Sequence, residues 1–134
     1  FGWAKPVPVN PRNFSNPRKG MMLTALAGPA ANFLIAVFFA FIFKMGIFPA
    51  QSFGWTFLLS GIIISLILGI FNLIPIPPLD GSNILIAVLS PKAAKSYMEL
   101  RKYGFVILMA LLYLGLFDKV ILPLVSIITR LLVG

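Results

Sequence analysis

Uncharged apolar stretches alternate with short polar breaks along this chain, and the longest stretches match the thickness of a hydrocarbon layer. Met21 to Phe43 runs for 23 residues without a charge. At about 1.5 Å per residue that crosses a layer about 30 Å thick, so residues 21–43 are predicted as a first transmembrane helix. Residues 44–54 contain Gly46, Pro49, Gln51, Ser52 and Gly54 and read as a turn. Trp55 then stands where an interfacial aromatic belongs, and the apolar run behind it predicts a second span over residues 55–74. That run ends in Asn72-Leu73-Ile74-Pro75-Ile76-Pro77-Pro78-Leu79-Asp80-Gly81, where three prolines exclude a regular helix.

The flanks are less regular. Residues 1–20 hold Pro6, Pro8, Pro11 and Pro17 among four basic residues, which predicts an extended segment, strand or loop, at the membrane surface. Beyond Gly81, residues 82–102 read as short or interfacial helices, one opening at Ser90-Pro91 and carrying Lys92, Lys95, Glu99, Arg101 and Lys102. Residues 103–132 predict a third span with a tail. Asp118-Lys119 interrupts it and Pro123 lies within it, so the tail either continues past a kink or turns back into the membrane.

Composition narrows the class. With 60% hydrophobic and 10% charged residues and a mean hydropathy of +1.02, the chain is an all-α membrane protein of about three transmembrane helices, one membrane-embedded domain over residues 1–134. The net charge of +8 comes from residues that flank apolar segments. No basic run tracks phosphates, so nucleic acid is excluded as a partner. Lys5, Arg12, Arg18 and Lys19 fall on one side with Lys92, Lys95, Arg101 and Lys102, whereas Lys44, Lys119 and Arg130 fall opposite. By the positive-inside rule, the proline-rich start and the Asp80 end are cytoplasmic. The chain has neither Cys nor His, and its only side-chain carboxylates are Asp80, Glu99 and Asp118. That set is too poor to hold zinc unaided. A start at Phe1 with no initiator Met points to a piece of a longer protein.

Two places have the residues for chemistry. No charge occurs between Lys44 and Asp80, and a carboxylate in or near hydrocarbon costs about 3 kcal/mol on the mildest scales, so something must compensate it. Prolines free backbone carbonyls, which lipid tolerates only inside protein or beside a wet cavity. The second span is therefore expected to end in a cavity that includes Asp80. There Asp80 is a metal ligand, a general base or the cap of the next helix, and Asn72 serves the site or satisfies freed carbonyls. The other place is Ala27-Gly28-Pro29-Ala30-Ala31-Asn32. Gly28 and Asn32 share a helix face with small neighbours, a pattern that lets another helix approach closely. Asn32 either packs there or lines the same site as Asp80.

Three motifs, in order and spacing, resemble the site-2 protease family of intramembrane zinc metalloproteases. They are Phe1-Gly2-Trp3-Ala4-Lys5-Pro6-Val7-Pro8-Val9-Asn10-Pro11, Ala27 to Asn32, and Asn72-x-x-Pro75-x-Pro77-x-Leu79-Asp80-Gly81. The resemblance extends to about Lys102 and implies an intramembrane endopeptidase acting on transmembrane or membrane-associated proteins. It also implies zinc as cofactor, Asp80 as the third zinc ligand and Asn72 as a residue that holds substrate, and Asn32, where it lines the same site, is a second substrate-binding candidate. Residues 1–11 would form the extended segment near substrate. The family's His-Glu-x-x-His, which supplies two ligands and the general base, does not occur in this chain. The chain thus looks like the C-terminal portion of such an enzyme, with an incomplete zinc site and no activity alone. A non-catalytic membrane scaffold is the competing reading, and a small transporter the third. Substrate, oligomeric state and regulatory domains are not specified by the sequence.

Overall fold

The structure, a computed structural model, describes residues 17–134. The expected extended segment at 1–11, and most of 1–20, lies outside them. Among the described residues all regular structure is helical. Helix α1 spans Pro17–Lys44 and α2 spans Phe53–Asn72, and both are long and apolar enough to cross a membrane. The first helix starts before residue 21 because Pro17 is its first residue, where a missing N–H is not needed and a fixed φ suits the helix. Pro29 sits inside α1 and is buried. The second helix starts at Phe53 because Ser52 caps it, its Oγ accepting from the Trp55 N–H at 3.3 Å.

Helices α1 and α2 form an antiparallel hairpin whose contact depends on size. The ring of Phe39 lies where a Cβ on Gly61 would come within 2.4 Å, and that of Phe33 where one on Gly69 would come within 3.1 Å. Small residues on one helix thus seat aromatics of the other, the usual route to close packing where lipid competes for apolar surface. Ala36, Ala40, Ile62 and Leu66 form the buried centre, joined by Ile121 and Val125 from later in the chain. Outward residues such as Leu34, Phe38 and Phe41 remain exposed, as lipid-facing residues do.

After the proline segment come α3 (Asp80–Val88), α4 (Pro91–Glu99), a 3₁₀ turn (Arg101–Tyr103), α5 (Gly104–Tyr113), a π-helical turn (Phe117–Ile121) and α6 (Leu122–Val133). The Ser90 hydroxyl caps α4, accepting from the Ala93 N–H at 3.3 Å. The helical stretches Pro91–Tyr113 and Phe117–Val133 are bent by 66°. The break precedes Asp118-Lys119, which lie in the π-helical turn. It falls at Leu114-Gly115, where Gly115 adopts φ +104°, which a residue with a Cβ rarely takes. Pro123 lies in the first turn of α6, where it breaks nothing. The bend carries Ile121 and Val125 back into the α1–α2 core, while α5 keeps Phe105, Val106 and Tyr113 exposed.

Leu66 is 1% exposed at this centre. Leu66→Ala should cost about 2–5 kcal/mol through lost burial and the cavity left behind. A thermal melt of the chain in detergent checks this, with Leu34→Ala on the lipid-facing side expected to change little.

Candidate functional site

The turn that places Asp80 is built from backbone. Leu73 N–H donates to Ile70 O and Ile74 N–H to Phe71 O, so α2 winds down, and Ile76 N–H then donates to Ile74 O at 2.8 Å in a tight turn. Leu79 N–H returns to Ile76 O, and Ser82 Oγ donates to Leu79 O at 2.7 Å. Three glycine and tyrosine contacts clamp this segment. A Cβ on Gly81 would lie 2.2 Å from Leu73 O and 2.4 Å from Ile74 O, so α3 rests directly on the carbonyls that end α2. A Cβ on Gly104 would lie 2.2 Å from Pro77 O, so the start of α5 rests on the next carbonyl along. The Tyr97 hydroxyl of α4 donates to Pro75 O. The carbonyls of the break are thus covered by protein, as an apolar surrounding requires.

Asp80 is the first residue of α3. Leu79 holds the cap position with extended backbone and no side-chain cap bond, so Asp80 does not cap the helix in the manner one sequence reading allowed. Its charge sits at the positive end of the helix dipole, which favours the ionised form. Its Oδ2 reaches α1: a Cβ on Gly28 would lie only 2.9 Å away. The carboxylate thus occupies the space that a side chain at residue 28 would fill. It is half-buried, and that desolvation holds its carboxyl above the usual carboxylate range.

Asn32 lies one turn along α1 from Gly28, and its Nδ2 donates to Gly28 O at 3.3 Å. Its Cβ also faces α2, 3.4 Å from the Cβ position of Gly69. Asn72 is half-buried at the end of α2, three residues on from Gly69, and among the described residues its side-chain amide makes no hydrogen bond. It therefore does not satisfy the carbonyls freed by the prolines. The contacts close a ring: Asp80 to Gly28, Asn32 to Gly69, and Leu73 to Gly81, the neighbour of Asp80. Asp80, Gly28 and Asn32, all selected from sequence, lie on that ring; Asn32 hydrogen-bonds Gly28, while among the described residues Asp80 meets Gly28 by packing alone.

The expected cavity is displaced from Asp80. An opening of about 390 Å³ does lie against the proline break, but Ser82 and Asn83 line it with Pro77 and Pro78, and Asp80 is not part of its wall. Tyr97 and Gly104, which hold the break, have no signal in the sequence beyond a tyrosine in an amphipathic helix and a glycine at a helix start.

Asp80 suits one position of a metal such as zinc, being a hard, partly desolvated oxygen donor. Among the described residues no group of three His, Cys, Asp or Glu side chains comes together to hold a metal.

A family model for peptidase family M50 matches residues 49–115, half of the chain. The protein named "Putative zinc metalloprotease YwhC" from Bacillus subtilis is 35% identical over 133 residues, covering 94% of this chain and 61% of that protein. A zinc metalloprotease of Methanocaldococcus jannaschii is 34% identical over 113 residues, covering 82% of this chain and 33% of that protein. The chain thus spans less than two thirds of the length of these curated relatives. No solved structure matches.

The two glycines beside Asp80 should respond differently to a methyl group. Gly28→Ala meets only the end of a flexible carboxylate and gains about 1 kcal/mol of helix propensity. Its melting temperature should hold or rise. Gly81→Ala meets two backbone oxygens and should lose about 1–3 kcal/mol through overpacking, read in the same melt. Asp80 also predicts a pH dependence. Its folded-state pKa is raised, so its stability contribution is greatest below the ordinary carboxylate range and declines as pH rises through the folded value. Asp80→Asn should therefore melt above the wild-type chain at neutral pH, a gain that disappears in acid.

Proposed function

The chain belongs to peptidase family M50, and from that premise we propose that it serves an intramembrane zinc metalloendopeptidase of the site-2 type that cleaves transmembrane or membrane-associated proteins. The observation that carries this reading is the position of Asp80, which lies at a helix start just past a membrane-length helix with its Oδ2 against Gly28 of the first. A lone acid with only a structural task has little reason to be held out of water there, since a charge is expensive to desolvate.

In this reading Asp80 supplies one oxygen ligand and a negative charge that offsets part of the cation's. When bound in such a site, zinc polarises a peptide carbonyl and makes water a nucleophile near neutral pH. The remaining donors and the general base come from polypeptide outside this chain, which contains no His. Residues of this chain handle the substrate. A helical peptide bond is shielded by its own hydrogen bonds, so the substrate segment must unwind before attack. Asn72, whose amide has no partner among the described residues, offers a donor and an acceptor to the exposed backbone. Asn32, bonded only weakly to its own helix, offers a second. The membrane orientation follows the basic residues, with the Asp80 end cytoplasmic. The chain alone is inactive and binds zinc weakly.

Asp80→Ala in the full-length protein should reduce cleavage of a membrane-anchored reporter at least a hundredfold and lower its bound zinc, with the helical content unchanged. Turnover equal to wild type would contradict the ligand assignment.

A further inference from the structure

The opening beside the proline break, of about 390 Å³, has a composition that zinc chemistry does not call for. Pro77 and Pro78 form one wall and Ser82 and Asn83 of α3 another, while Arg101 and Lys102 close it from the 3₁₀ turn. Neither cation has an acidic partner: among the described residues no ion pair involves Arg101 or Lys102, although Glu99 lies nearby. The Lys102 ammonium stands 5.2 Å from the centre of the Tyr103 ring, an attraction that leaves its charge uncompensated. The side-chain amide of Asn83 is likewise without a hydrogen bond among the described residues. Two cations and an amide donor therefore converge on a space large enough for a small anionic group.

The first turn of α5 borders the same opening. Gly104 begins that helix, and Phe105, which lines the opening, is 64% exposed, as is Val106 at 66%. The wall thus changes from cationic to apolar within one helical turn, the order in which a phospholipid presents its phosphate and its acyl chains. Arginine and lysine beside a lipid-facing apolar surface are the usual partners of an anionic headgroup, and the fork of Arg101 matches a phosphodiester.

We infer that the opening bounded by Pro77, Ser82, Asn83, Arg101 and Lys102 binds the phosphate of an anionic phospholipid, with the acyl chains lying along Phe105 and α5. The site is separate from Asp80, and its occupant rests on the same proline segment that Gly81 and Gly104 clamp.

The test is native mass spectrometry of the full chain in neutral detergent, titrated with dioleoyl-phosphatidylglycerol or with dioleoyl-phosphatidylcholine. Wild type should retain the anionic lipid at least tenfold more tightly than the zwitterionic one. Arg101→Gln/Lys102→Gln should abolish that preference, whereas Lys92→Gln/Lys95→Gln, which removes as much charge from the neighbouring helix, should keep it. Asn83→Trp leaves every charge in place and fills the opening, so it too should lose the preference, which guards against a double variant that fails to fold. Equal losses in both charge pairs, or retention by Asn83→Trp, would overturn the site. If millimolar inorganic phosphate displaces the lipid completely, the opening takes free phosphate, and the lipid assignment is overturned.

Discussion

Gly81 lying directly on the carbonyls of Leu73 and Ile74 is the contact on which this architecture turns. The chain must leave a membrane-length helix, pass three prolines and begin another helix without exposing orphaned polar backbone to lipid. Only a residue without a side chain lets the new helix settle on the end of the old one. Once it does, the first residue of α3 is directed at α1, and the residue it meets there is again a glycine. The carboxylate is positioned by backbone packing, and among the described residues no hydrogen bond tethers it.

That arrangement balances two opposed effects. Burial penalises the charged form of Asp80, while the start of α3 favours it. In the proposed function that tension makes Asp80 a ready ligand for a cation, because metal binding would relieve the desolvation cost that the fold imposes. The same packing leaves the amides of Asn32 and Asn72 near the α1–α2 end of the ring, with Asn72 uncommitted among the described residues.

The two long spans were legible because an uninterrupted apolar run of membrane length is seldom stable anywhere but in a bilayer, and the proline break was legible because proline excludes helix whatever surrounds it. Asp80 was picked out as a lone acid past the prolines, Gly28 and Asn32 by their four-residue spacing, and Gly28 touches both of the others. What the pattern could not convey were tertiary matters. The bend fell at Gly115, because a positive φ depends on the packing that demands it, whereas charge and proline nearby drew attention to Asp118 and Pro123. The opening at the break proved to face Ser82, Asn83, Arg101 and Lys102, since which side of a short helix meets a cavity depends on the rotation of that helix. Arg101 and Lys102 had read simply as topological flanks.

The approach of Asp80 to Gly28 across two helices is best tested by a cross-link, since the chain has no native cysteine. In Gly28→Cys/Asp80→Cys, mild oxidation in membranes should join the two positions rapidly and nearly completely, whereas Gly28→Cys/Asp118→Cys should remain open. Failure of the first pair to join in a folded protein, or equal reaction of both, would contradict the account.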